Sequence, residues 1–218
     1  MQHHAKTEIE RSWLKAQNLP VEKREMLFRS AEREDVPFVA SLVFDTDPSH
    51  FKRAFGWKAN KYVSGLVLLN SPLNIRHITV CEVSGQPVAI YALYSMKEMN
   101  QLASSKPNLR DFVPSLSKFR LLLEFRTLQK AMRMSISSNQ SYLGIISVER
   151  NFRNMGLARM IFDYLFETCQ EIVLDVSRSN SRALSIYIRY GFRPETRLPR
   201  DYPLKDSIRL KSTRKTTG

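Results

Sequence analysis

The sequence predicts an α/β fold, a mixed sheet flanked by helices, and three patterns carry that expectation. Residues 141–192 run strand, loop, helix, strand, helix, an order that implies a parallel strand pair joined by a crossover. IRHITVCEV (75–83) and PVAIYALYSM (87–96) are β-rich runs separated by Ser84-Gly85-Gln86, so they read as an antiparallel hairpin. MLFRSAEREDVPFVASLVFD (26–45) reads as a short strand and then a helix.

The individual elements follow from local chemistry. Met26, Phe28 and Ser30 alternate as in a strand, while Val36, Val39, Ala40, Val43 and Phe44 fall at helical spacing behind Asp35, a cap candidate, and Pro37 in the first turn. Phe51, Ala54, Phe55 and Trp57 suggest a short helix, and Val63, Leu66, Val67 and Leu69 a second. Residues 109–134 have helical spacing, with Leu121, Phe125, Leu128 and Met132 on one stripe. SYLGIISV (141–148) is a strand, and Leu157, Met160, Ile161, Tyr164 and Leu165 form the stripe of the following helix. EIVLDVS (171–177) is a buried-type strand. NSRALSIYIRYGF (180–192) is a helix closed by Gly191, with Phe192 starting a strand, and DSIRLKS (206–212) is a last strand. Residues 1–25 are expected to be a helical or flexible arm, 26–211 a single domain, and 212–218 a basic flexible tail.

Composition excludes more than it selects. The 218 residues are 43% apolar and 25% charged, ordinary for one globular domain able to bury its own core. Cys81 and Cys169 have no metal-ligand spacing and read as two small buried hydrophobes, so no metal is expected. The four histidines (His3, His4, His50 and His77) form no cluster. No apolar run is long enough to span a bilayer and the start lacks a signal-peptide core, so a cytoplasmic protein without a membrane contact is expected. The net charge of +13 favours polyanions without choosing among them. Seven basic residues (Lys106, Arg110, Lys118, Arg120, Arg126, Lys130 and Arg133) against Asp111 and Glu124 read as a solvated helix face or as a basic wall near an anionic ligand. No nucleic-acid-binding motif accompanies the charge, so nucleic acid ranks low as a partner.

Chemistry concentrates in Arg153-Asn154-Met155-Gly156-Leu157-Ala158, a basic loop between a strand and a helix. The first turn of a helix leaves N–H groups without intrahelical acceptors, and with the helix dipole these make an anion site. Gly156 and Ala158 are small enough for a phosphate to approach the backbone, and Arg153 adds a cation. Neither GxxxxGK[ST] nor GxGxxG occurs. On this string alone, a basic turn before an amphipathic helix remains the plainer reading. Further on, Asn180, Ala183 and Tyr187 share one helix face. Asn180 offers a donor and an acceptor for an amide-bearing chain such as pantetheine, and Tyr187 a hydroxyl able to give a proton to a leaving group.

Together, V-x-x-x-x-R-x-x-G-x-A (Val148 to Ala158) and N-x-x-A-x-x-x-Y-x-x-x-G-F (Asn180 to Phe192) resemble the GNAT superfamily of acetyl-CoA-dependent N-acetyltransferases. The resemblance is strong over 141–193, fair over 26–96 and absent from 1–25. It implies a twisted mixed sheet splayed between two parallel strands, with acetyl-CoA in the gap. Ile146, Ser147 and Val148 would pair with the pantetheine amides. Arg153, Asn154, Met155, Gly156, Leu157 and Ala158 would cradle the pyrophosphate, Asn180 would bond the cofactor arm, and Tyr187 would sit near the thioester sulfur as general acid. A backbone N–H near Val148 would stabilise the oxyanion. Asn154 and Met155 are bulkier than the family's usual loop residues, and Ala158 stands where glycine is commoner. The general base stays open between Glu149, Glu124 and a water-mediated route. The resemblance implies a primary amine of a small molecule or peptide as acceptor. A homodimer, and a non-catalytic module that binds a CoA ester and regulates a partner, stay open as alternatives.

Overall fold

A computed structural model describes residues 26–69, 71–104, 137–196 and 198–212, with positions 123, 126, 127, 130 and 131 between them. Most of the predicted basic helix, the arm at 1–25 and the tail beyond Ser212 lie outside the described residues. The strands are β1 (Met26–Ser30), β2 (Ile78–Val83), β3 (Gln86–Tyr94), β4 (Gln140–Val148), β5 (Glu171–Ser177), β6 (Phe192–Pro194) and β7 (Ser207–Ser212). The helices are α1 (Val36–Thr46), α2 (Pro48–Phe55), α3 (Ala59–Leu66), α4 (Met96–Ser104), α5 (Leu157–Thr168) and α6 (Ser181–Arg189). All seven strands form one sheet in the order β1-β2-β3-β4-β5-β7-β6, antiparallel throughout except for the parallel pair β4–β5.

Each face of the sheet has its own core, as two-sided burial of a mixed sheet requires. Val39, Leu42 and Val43 of α1 and Val63 and Leu66 of α3 pack on Ile78, Val80, Ile90 and Tyr94 on one face. On the other, Leu157, Ile161, Phe162, Leu165 and Phe166 of α5 pack on Leu143, Ile172, Leu174 and Phe192, with α6 alongside. Met160 and Tyr164, expected inside the α5 stripe, are only partly covered, and Phe162 and Phe166 take the buried positions. Phe162 meets the rings of Phe166, Tyr190 and Phe192, at 6.0, 4.8 and 5.6 Å. This face therefore holds an aromatic cluster wider than the simple stripe.

Several boundaries move for identifiable reasons. Ile75–His77, predicted as strand, is a single 3-10 turn because the Asn74 side chain accepts from the Arg76 N–H and opens a helical turn there. Ser95 and Met96, predicted to extend β3, instead start α4: Ser95 Oγ and Glu98 Oε2 exchange cap bonds, with the Ser95 N–H and hydroxyl both donating to Glu98. Asp35 precedes α1 but makes no side-chain cap bond to it. Its carboxylate instead accepts from Arg29 at 2.6 and 2.9 Å and from the Glu32 N–H at 2.8 Å. Trp57 lies on a 3-10 turn and is 90% exposed, outside the apolar face that Phe51 and Phe55 bury. The hairpin turn is as expected: Ser84 and Gly85 both have positive φ, 53° and 75°, which a tight two-residue turn between twisted strands demands.

Candidate functional site

The feature that builds a site is the parting of β4 from β5. They pair only at Gln140↔Glu171, Ser141↔Ile172 and Tyr142↔Val173. Beyond that point β4 stays on β3 up to Val148 and β5 stays on β7 up to Ser177, so Leu143–Val148 and Leu174–Ser177 form the arms of a V. A bulge marks where the arms diverge. Ala92 faces Ile145 and Leu93 faces Leu143, which leaves Gly144 without a partner on β3. Glycine suits the place, because a Cβ there would lie 2.7 Å from Cε2 of Tyr94. The Tyr94 hydroxyl in turn donates to the carbonyl of Pro72, so its ring is held.

The register shows which main-chain groups face the gap. The Glu149 N–H donates to the Val88 carbonyl at 2.9 Å. In an antiparallel ladder alternate residues bond the partner, so Glu149, Ser147 and Ile145 direct their N–H and C=O at β3. Those of Ile146 and Val148 therefore point the other way, into the V. The Val148 carbonyl accepts from Nε of Arg153 at 2.8 Å.

The loop after β4 comes next. A 3-10 turn, Arg150–Phe152, is capped by the Glu149 carboxylate, which accepts from the Asn151 N–H at 2.8 Å, and Phe152 is buried beneath it. Asn154 and Gly156 both adopt left-handed backbone, φ 66° and 79°, and turn the chain into α5. No side chain caps α5. Its first ladder bonds run from the N–H groups of Arg159 and Met160 to the Gly156 carbonyl. Among the described residues, the N–H groups of Gly156, Leu157 and Ala158 have no acceptor, which leaves a helix N-terminus open to an anion. The site thus brings together Ile146, Val148 and Gly156 to Ala158, while Ser147 points its main chain at β3 and Met155 packs partly against the α5 core.

Arg153 is engaged differently from its sequence reading as a cation set beside a phosphate. Besides the Val148 carbonyl it holds Asp45 Oδ2 at 3.1 Å, and Arg150 grips the same carboxylate at 2.7 and 2.9 Å. These bonds, with Arg150 first among them, hold the Asp45 carboxyl below the usual carboxylate range.

Asn180 is the N-cap of α6, and its Oδ1 accepts from the Ala183 N–H at 3.1 Å. Among the described residues its Nδ2 has no partner. Tyr187 stands edge-on to Phe162 and Phe192, at 6.0 and 5.8 Å between ring centroids. Burial pushes its phenol up to about 12, so it stays protonated at neutral pH and keeps an O–H to donate. Of the base candidates, Glu149 caps the 3-10 turn, and Glu124 lies outside the described residues.

The closed end of the V carries a polar cluster that the sequence reading missed. Arg209 on β7 has a fully buried side chain and holds Asp175 of β5 at 2.7 Å. Tyr142 of β4 and Tyr202 donate their hydroxyls to the same carboxylate at 3.1 and 2.6 Å. Arg209 also donates to the Ala131 carbonyl at 2.9 Å and lies over the rings of Tyr142 and Tyr202. Burial, then the Asp175 charge, raises both phenols well above their ordinary value.

Both cysteines are free thiols, Cys81 buried and Cys169 partly covered. Among the described residues no group of three or more His, Cys, Asp or Glu could hold a metal, and no helix is long and apolar enough to cross a membrane.

No family model and no curated protein matches the chain. Solved structures do. An N-acetyltransferase from Staphylococcus aureus Mu50 superposes with a TM-score of 0.56 at 15% identity, covering 85% of this chain and 98% of its own. A crystal structure of an acetyltransferase gives 0.51 at 20% identity, with 85% and 98% covered. A GNAT-family acetyltransferase from Staphylococcus aureus Mu50 gives 0.50 at 13% identity, with 86% and 98% covered. The bulged, V-shaped sheet and its helices have the architecture of the GNAT acetyltransferases.

Proposed function

We propose that the protein is an N-acetyltransferase that moves the acetyl group of acetyl-CoA directly onto a primary amine of a small molecule or peptide. The V between β4 and β5, with main-chain groups of Ile146 and Val148 turned into it beside the open N-terminus of α5, carries this reading. Such a gap takes an extended chain with amides along it as an added strand, and the helix end takes a diphosphate. Pantetheine joined to a diphosphate has both parts in that order.

Acetyl-CoA supplies the acetyl group as a thioester: the amine nitrogen bonds the carbonyl carbon, the C–S bond breaks, and the proton the nitrogen gives up is balanced by the one the CoA thiolate takes. In this reading the N–H groups of Gly156, Leu157 and Ala158 hold the diphosphate, while Arg153, Asn154 and Met155 shape the turn that presents them. Ile146 and Val148 align the arm, and the Val148 N–H faces the developing oxyanion. Asn180 offers Nδ2 to the arm while its Oδ1 caps α6. Tyr187 keeps its proton at neutral pH and hydrogen-bonds the departing sulfur. Its raised pKa makes full proton transfer to a thiolate, whose conjugate acid titrates near 8.5, an uphill step. Tyr187 therefore acts chiefly as a hydrogen-bond donor.

The test is release of free thiol from acetyl-CoA mixed with amines, polyamines, antibiotics and peptides. Turnover is expected with at least one acceptor class. Tyr187→Phe is expected to lower kcat about tenfold to a hundredfold, with cofactor affinity within about twofold. Cofactor binding with no thiol release across the panel would instead favour a regulatory module that holds a CoA ester.

A further inference from the structure

The loop from Glu149 to Gly156 is a strained connection that something outside it has to hold. It carries a left-handed non-glycine residue, Asn154 at φ 66°, immediately before the turn into α5. Its own bonds, the Glu149 cap and the Arg153 bond to Val148, tie it to the end of β4. A side chain from elsewhere in the sequence also ties it, to α1. Asp45, near the end of α1 and 105 residues from Arg150, accepts two bonds from Arg150 and one from Arg153. Its carboxylate is only 11% exposed, while Arg150 is 66% exposed, so Asp45 is the anchored member and the arginines are the ones it holds.

We propose that Asp45 is a positioning residue for the N–H groups of Gly156, Leu157 and Ala158. By fixing Arg150 and Arg153, its carboxylate keeps the loop in the one conformation that leaves those donors facing outward. The identity of the ligand they meet rests on the transferase reading; the positioning role does not. An opposite effect of Asp45 is also physically reasonable. A carboxylate near a diphosphate repels it, and removing the carboxylate would release two cations towards the ligand. The two effects have opposite signs, so experiment separates them. Three charge-assisted bonds at a mostly covered carboxylate outweigh a repulsion that two arginines already neutralise.

The experiment compares the full-length wild type with Asp45→Asn, Asp45→Glu and Asp163→Asn. Asp163 lies on α5, pairs with Arg159 at 3.5 Å, and controls for loss of one negative charge near the same helix. Hydrogen exchange is followed at the amides of Asn151, Phe152 and Arg153, which are bonded to Glu149 and Arg150 within the loop, and CoA binding by calorimetry. In Asp45→Asn those amides should exchange at least about tenfold faster while the amides of β2 and β3 keep their protection, and the Kd for CoA should rise about tenfold. Asp45→Glu should restore part of both, and Asp163→Asn should change neither by more than about twofold. Unchanged loop exchange in Asp45→Asn overturns the proposal, as does tighter CoA binding. If the wild type does not bind CoA, the transferase reading falls, and the exchange rates still decide the role of Asp45.

Discussion

The two ends of the β4–β5 pair are built from the same strands and have opposite designs. At the closed end the strands pair through Tyr142 and Val173, and just beyond them the Tyr142 hydroxyl reaches across to Asp175, which Arg209 and Tyr202 also hold. At the open end the ladder stops, and Arg150 and Arg153 of the loop after β4 reach to Asp45 on α1 instead of to β5. The bulge at Gly144 separates the two regimes. A sheet that opens at one end needs a fastening at the other, because parallel pairing of three residues is a short ladder to resist the spread. The side-chain cluster supplies that fastening where the backbone no longer does.

This contrast can be tested at each end. The largest effect is expected from Asp175→Ala, which leaves the guanidinium of Arg209 buried without its carboxylate. Denaturant unfolding should show a loss of about 3–5 kcal/mol. A loss below about 1 kcal/mol would mean that the bond from Arg209 to Ala131 is enough to hold the closed end. At the open end, Gly156→Glu places a side chain and a negative charge on left-handed backbone at the anion site. Calorimetry should show CoA affinity down at least about a hundredfold, near 2.8 kcal/mol, with the far-ultraviolet dichroism unchanged. Binding that survives this change would remove the α5 N-terminus from the site. At the divergence point, Gly144→Ala should cost about 1–3 kcal/mol of stability, because its Cβ meets the ring of Tyr94. The smallest effect is expected from Tyr142→Phe, which deletes one of the bonds to Asp175 and should cost about 1 kcal/mol in the same unfolding assay.

What could be read from the sequence was what local spacing determines. The hairpin at Ser84-Gly85, the α5 helix and the end of α6 at Gly191 (φ 91°) have signals within a few residues of themselves, and the parallel pair follows from the order of such elements. The splay and its occupant were expected only through resemblance, since no periodicity distinguishes a pair that parts from one that stays joined. One local signal was there and went unused: a glycine inside the strand SYLGIISV marks a bulge. Arg153 shows the other kind of failure. Its neighbours in sequence suggest a phosphate ligand, but its partners are the Val148 carbonyl and an aspartate 108 residues away. Asp175 and Arg209, 34 residues apart, are ordinary members of two strands until the sheet order places β5 beside β7. Asn180 heads α6 and caps it whatever else it binds, a role the sequence reading did not assign to it.

The cleft is edged by peptide groups, and peptide groups are the same in every protein. Exchanging Ile146 or Val148 for another residue of similar shape leaves the N–H and C=O in place, so selection on such a groove acts on the path of the chain more than on its letters. Structures that share only 13–20% of their residues with this chain keep the same fold, and a variant library across β4 should tolerate exchange at these two positions far better than at Gly144.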